Sequence, residues 1–204
     1  MIAAVVLAAG ASTRFGSQKL LAPVRGAPLV RRTVEQVLAA GLDSVVVVLG
    51  REHQAVRAAL DDLPVRFVVN PDFRDGLSTS LRTGLRDLGR AFDAAIVALG
   101  DQPGISGSTI ASLIEEYRRS GQPIVVPVYA GTRGNPVLFD ASVFPELEAV
   151  GGDQGGREVI GRDPSRVATV SFPFAMPGDV DTVEDYQALV DVGLAIRPWS
   201  DRQR

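Results

Sequence analysis

The feature that most constrains this chain is the recurrence of short, continuous apolar runs separated by amphipathic segments. The runs fall at residues 2–8, 44–49, 66–69, 94–99 and 124–128. They are short and do not alternate, which is the pattern of strands buried on both faces. Between them, residues 29–40, 53–60, 78–88 and 108–120 carry apolar side chains at helical spacing. Gly41 and Gly121 follow two of these segments, where a helix favours a left-handed terminating residue. Strand alternating with helix predicts an α/β fold with a mostly parallel sheet and helices on both faces. An open sheet of that kind places its ligand crevice at the carboxyl ends of the strands.

A length of 204 residues suits one core, so a single domain is expected over 1–195, with 196–204 as a loose tail. From about Thr132 the alternation gives way to Gly-, Pro- and Asn-containing pieces, with short strands expected near 136–139 and 167–171. A last helix is expected from Thr182, capped by Asp181 or Thr182 with Glu184 or Asp185 three residues on. The chain has no cysteine, which excludes disulfides, thiolate metal sites and cysteine nucleophiles. Nothing resembles a targeting segment or membrane span, and a cytoplasmic protein is the expectation. A net charge of −3 offers no general attraction to nucleic acid. Residues 1–34 nevertheless contain Arg14, Lys19, Arg25, Arg31 and Arg32 without one Asp or Glu, so a small polyanion is the expected ligand at that end.

The loop after the first strand, GASTRFGSQK from Gly10 to Lys19, holds the elements of a phosphate site. Glycines admit backbone N–H groups close to oxygens, and Arg14 and Lys19 supply positive charge. Five residues separate Gly10 from Gly16 and Lys19 precedes Leu20, so this is not a P-loop. G-x-G-x-x-G is absent as well, which removes the dinucleotide fingerprint. Composition alone leaves a plain βα connection as an equal reading. Two acidic elements stand elsewhere: Asp101 in GDQP, beyond the fourth apolar run, and Asp179 and Asp181 in GDVDT. One or two carboxylates suffice for Mg²⁺, which prefers hard oxygen ligands and keeps waters and phosphates. Asp101 is poorly placed to cap the following helix, whereas Asp181 is an easy cap for the last one.

LAAGASTRFGSQK, from Leu7 to Lys19, resembles the signature L-A-x-G-x-S-x-R-M/F-G-x-x-K of the MobA-like nucleotidyltransferases, in particular the molybdenum cofactor cytidylyltransferase-like branch. The likeness continues through N-P-x-x-x-x-G-x-x-S-S-L near Asn70, G-D-x-P at Gly100 and D-x-D-T at Asp179. It implies a single-domain Rossmann-like fold that couples a nucleoside monophosphate to a phosphorylated acceptor and releases pyrophosphate with Mg²⁺. Carried over by motif, Arg14, Lys19 and Asp101 are the catalytic candidates. Leu7, Ala8, Ala9, Gly10, Ser12, Gly76 and Ser80 join them as nucleotide-binding candidates, and Asp101 and Asp181 become metal ligands. Ala9 gives LAAG, the form similar to cytidylyl-transferring members, so CTP is expected over GTP.

The resemblance also implies an acceptor side over 131–195 against a nucleotide side over 1–130, with RGNPVLF and GGDQGGREVI as its motifs. Gly134, Asn135, Pro136, Asp153, Gly155 and Arg157 are its candidates. Many relatives carry His where Asn135 stands. The acceptor it implies is molybdopterin, giving molybdopterin cytosine dinucleotide, with a recipient molybdoenzyme or its chaperone as a further partner and no nucleic acid or membrane. The alternatives are another phosphorylated acceptor (sugar, polyol or phospholactate) or a non-catalytic nucleotide-binding chaperone. His53 reads as surface, and Trp199 as packing or solvation.

Overall fold

The computed structural model describes residues 1–10, 12, 15–153 and 155–193. The apolar runs become β1 (Ile2–Ala8), β4 (Ser44–Leu49), β5 (Arg66–Val69), β6 (Ala94–Leu99) and β7 (Ile124–Tyr129). A small antiparallel pair, β2 (Pro23–Val24) and β3 (Ala27–Pro28), lies between the first two, and β8 (Thr132–Arg133), β9 (Val137–Asp140) and β10 (Val167–Phe172) follow β7. The helices are α1 (Leu29–Leu38), α2 (His53–Ala58), α3 (Leu77–Leu88), α4 (Gly107–Ser120), α5 (Phe144–Ala149), α6 (Gly156–Arg162) and α7 (Val183–Gly193).

The main sheet runs β10-β7-β9-β6-β1-β4-β5, with β8 paired to β7. β1 is parallel to both β4 and β6, and β10 is parallel to β7. Two strands depart from a simple parallel order: β8 pairs antiparallel with β7, and β9 inserts antiparallel between β6 and β7. Strands from both halves of the chain therefore share one sheet.

Buried strands must satisfy two faces at once, and β1 shows how. Ala4, Val6 and Ala8 join one core with Leu29, Val34 and Val37 of α1 and Ile110 and Leu113 of α4. Ala3, Val5 and Leu7 join the other with Leu81 and Leu85 of α3, Phe144 and Leu147 of α5 and Val159 of α6. Helices thus cover both faces, and the loops at the strand carboxyl ends stay open. His53 is exposed at the start of α2. The tail from 196 onwards lies outside the described residues. Among them no helix is long and apolar enough to cross a membrane.

Candidate active site

The carboxyl ends of β1 and β6 are held side by side. Gly100 donates its N–H to the Leu7 carbonyl at 2.9 Å, and the Thr33 hydroxyl donates to the Gly100 carbonyl at 3.1 Å. Asp101 follows directly, so pairing of the two central strands brings it to the loop after β1. On the far side of β1, Gly50 allows Ala9 to approach: a Cβ at Gly50 would stand 2.4 Å from the Ala9 carbonyl oxygen.

The loop is organised by a side chain that the sequence reading did not single out. Gln18 takes the Ser12 hydroxyl on Oε1 at 2.9 Å and donates Nε2 to the Arg51 carbonyl at 2.9 Å. Ser12 Oγ in turn accepts the Lys19 N–H at 3.3 Å. Buried Gln18 and Ser12 thereby fix where Lys19 begins its path to the site. The signal in the sequence was the place of Gln18 inside the motif, next to Lys19. Arg14 lies outside the described residues.

Lys19 Nζ meets Asp101 Oδ2 at 2.7 Å and Asp181 Oδ1 at 2.9 Å. Its side chain is only 10% exposed, against 21% and 37% for the carboxylates. Burial works to lower the Lys19 pKa, yet the two carboxylates override it and hold the ammonium above its usual value. Thr182 and Asp185 cap the start of α7. Thr182 Oγ1 accepts the Asp185 N–H at 3.1 Å, and Asp185 Oδ2 accepts the Thr182 N–H at 2.8 Å, a reciprocal capping box at the start of α7. The two carboxylates expected to hold a metal therefore converge on one cationic point, and as hard oxygen donors they suit Mg²⁺ or Mn²⁺.

A cavity of 520 Å³ opens over this cluster. Leu7, Ala8, Ala9, Gly10, Ser12 and Lys19 line it from the β1 loop, Gly76 and Ser80 from α3, and Asp101 and Asp181 from the carboxylate pair. Phe73 and Arg74, not expected from the sequence, also line it. The hydroxyls at the start of α3 are used differently from a simple cap. Gly76 is the capping residue and contributes no side chain; Asp153 Oδ1 instead accepts the Leu77 N–H at 3.2 Å. Asn70 Nδ2 donates to Thr79 Oγ1 and Ser80 Oγ at 2.9 and 3.0 Å, tying the end of β5 to the helix. Gly76 cannot carry a side chain, since a Cβ would stand 2.6 Å from the Gly152 carbonyl carbon.

A second cavity of 400 Å³ shares Leu7, Leu77, Leu99 and Asp153 with the first. Gly134, Asn135, Asp153, Gly155 and Arg157 line it; Pro136, joined to Asn135 by a cis peptide bond, does not. The Asn135 carbonyl accepts the Tyr129 hydroxyl at 2.7 Å, so its backbone is engaged in holding the turn. Asp153 has two relations that the sequence did not reveal, as cap to α3 and as part of the wall between the cavities. Gln102, Arg133, Met176 and Asp179 are further lining residues. Asp181 and Asp179 thus face different cavities, with buried Val180 between them donating its N–H to the Asp101 carbonyl at 3.2 Å. Burial pushes the Asp179 carboxyl up, against the hydrogen bond it accepts from Gln102.

The chain matches known proteins over most of its length. Residues 4–167 match the family described as the MobA-like NTP transferase domain. The chain is 35% identical to the nicotine blue oxidoreductase of Paenarthrobacter nicotinovorans, over 93% of this chain and 96% of that protein. Among solved structures, Rv0371c of Mycobacterium tuberculosis superposes with a TM-score of 0.85 at 34% identity, covering 93% of this chain and 97% of its own. Its complex with manganese superposes at 0.81, with 33% identity and coverage of 93% and 98%. A nucleotidyl transferase from Methanothermobacter thermautotrophicus gives a TM-score of 0.82 at 28% identity, over 96% of this chain and 98% of that one. With a cationic loop after β1 facing the carboxylate after β6, on this sheet and with these relatives, the chain belongs to the MobA-like NTP transferase family and is a nucleotidyltransferase.

Proposed function

We propose that the chain transfers CMP from CTP to the phosphate of molybdopterin, releasing pyrophosphate and forming molybdopterin cytosine dinucleotide in the cytoplasm. The observation that carries this reading is the pair of adjoining cavities, one polar at Lys19 and Asp101, the other floored by Val97, Val126, Val137 and Phe139. A sugar or polyol would leave its hydroxyls against that apolar floor at a desolvation cost, whereas a flat heterocycle would bury apolar area there. Arg133 and Arg157, which also line it, suit the phosphate of such an acceptor.

In this reading residues 1–130 hold the nucleotide and 131–195 the acceptor. Lys19 leaves its carboxylates for the triphosphate and stabilises charge developing on the α-phosphate, with Arg14 on the same phosphates. Gly10 and Ser12 lend close backbone contact, and Gly76 and Ser80 border the base. Ala9, a buried residue lining the cavity, supports CTP, since a purine would need more room there. An acceptor phosphate oxygen attacks the α-phosphorus as the bond to pyrophosphate breaks; no protein base is needed if that phosphate is already ionised. Asp101 and Asp181 would hold Mg²⁺, in keeping with the manganese complex of Rv0371c. Held there, such an ion would supply charge neutralisation for the phosphates and their pyrophosphate leaving group.

The experiment is a pyrophosphate-release assay with CTP or GTP, Mg²⁺, and either molybdopterin or a panel of sugar, polyol and phospholactate phosphates. Release with CTP and molybdopterin is expected. Release only with another acceptor refutes the molybdopterin assignment, and CTP binding without release from any acceptor favours a nucleotide-binding chaperone.

A further inference from the structure

Gln102 is 1% exposed and sits on the wall of the second cavity, yet only half of its amide is satisfied. Nε2 donates to Asp179 Oδ1, while Oε1 is buried and has no hydrogen-bond partner among the described residues. Reversing the amide would set Oε1 against the carboxylate, so the observed orientation is the one the pair requires. Leaving a buried carbonyl unpaired is costly, and the fold gains nothing visible from it. Asp179 lines the same cavity, keeps part of its surface open to solvent and is aimed by Gln102. Gln102 Oε1 and the free edge of Asp179 are both acceptors, and with Nε2 spent on Asp179 the pair has no donor left for a ligand in the cavity that both residues line.

We infer that Asp179, held in place by Gln102, reads the acceptor of the reaction and selects a heterocycle carrying adjacent N–H donors, the edge of a 2-amino-4-oxo pyrimidine ring. This rests on the proposed acceptor class and adds the residues that recognise it. A ring with two neighbouring N–H groups satisfies a carboxylate in a paired arrangement, and a small shift of Gln102 brings its orphan carbonyl into the same set. A ring with a carbonyl in place of the 2-amino group would set oxygen against carboxylate oxygen and be rejected. Asp181, two residues on, faces the other cavity and takes no part in this discrimination.

The test measures binding of pterin and of lumazine, its 2,4-dioxo counterpart, to the full chain by titration of pteridine fluorescence, alongside CTP binding and pyrophosphate release. Pterin is expected to bind about tenfold or more tightly than lumazine. In Asp179→Leu and Gln102→Leu that ratio should fall towards one while circular dichroism and CTP affinity hold. Equal binding of the two pteridines by the wild type, with turnover of molybdopterin intact, overturns the role of Asp179 and leaves the reaction standing. Failure to bind either pteridine, with pyrophosphate release from a non-heterocyclic acceptor, overturns the acceptor class and this inference with it. A ratio unchanged in both variants also contradicts it.

Discussion

Lys19 has two carboxylate partners, at 2.7 and 2.9 Å, and the proposed reaction needs all three groups for other purposes. An ammonium between two carboxylates competes with any cation they bind. Lys19→Met should therefore tighten Mn²⁺ binding by nucleotide-free protein about tenfold, measured by electron paramagnetic resonance, while turnover falls by about a hundredfold or more. Unchanged or weaker Mn²⁺ binding would show that Lys19 does not stand in the cation's place. Its raised pKa has a definite sign: the pairing is complete at and below the usual lysine value of about 10.4 and is lost only as pH rises through the folded value. Rate profiles between about pH 6 and 9 should accordingly show no limb from Lys19. A second substitution tests base choice. Ala9→Gly removes a methyl from a residue that lines the cavity and should shift the CTP-to-GTP ratio of kcat/KM towards GTP by about tenfold. Lys19 and Asp101 were legible in the sequence because each stands at a fixed step beyond an apolar run. Gln18 and Gln102 were not, since each makes hydrogen bonds to segments far apart in the chain, and Asp179 could be named there but not its Gln102 partner.

At the scale of elements, β1, β4, β6 and their helices were readable from apolar periodicity, while β9 and α5 were harder. The expected strand near 136–139 forms as β9, but its antiparallel insertion depends on the free edges of β6 and β7, which no local pattern records. Helix α3 lies so close to the sheet that a Cβ at Gly84 would stand 2.3 Å from Val5 Cγ1 and 2.9 Å from Val48 Cγ2. Helix propensity favours alanine there by about 1 kcal/mol, but overpacking opposes it by about 1–3 kcal/mol. Gly84→Ala should therefore lower stability in chemical denaturation, and a more stable variant would show that α3 shifts freely. Asp140 joins β9 to α4 by accepting the Tyr117 hydroxyl, and it caps the next turn through the Ser142 N–H at 2.8 Å. Burial works to raise its carboxyl, and these hydrogen bonds override that and hold it below its usual value. A depressed carboxylate stabilises fully above the unfolded value of about 3.9 and loses that contribution as pH falls through the folded one. Asp140→Asn should flatten the acid limb of a melting-temperature profile below about pH 4; an unaltered limb would assign acid sensitivity to other groups.

Across the whole molecule, one sheet carries two cavities that share Leu7, Leu77, Leu99 and Asp153 as their wall. Lys19, Asp101 and Asp181 lie in the first cavity, with Asp179 and Gln102 in the second, so the reacting phosphates would meet where the two adjoin. The most direct measurement follows the α-phosphate: CTP labelled at that position is incubated with the full chain, Mg²⁺ and molybdopterin, and the products are separated. Label is expected in a cytidylyl–pterin product with equimolar pyrophosphate, abolished by Asp101→Asn. Label recovered only as CTP or free CMP, with the protein folded and the acceptor intact, would contradict it.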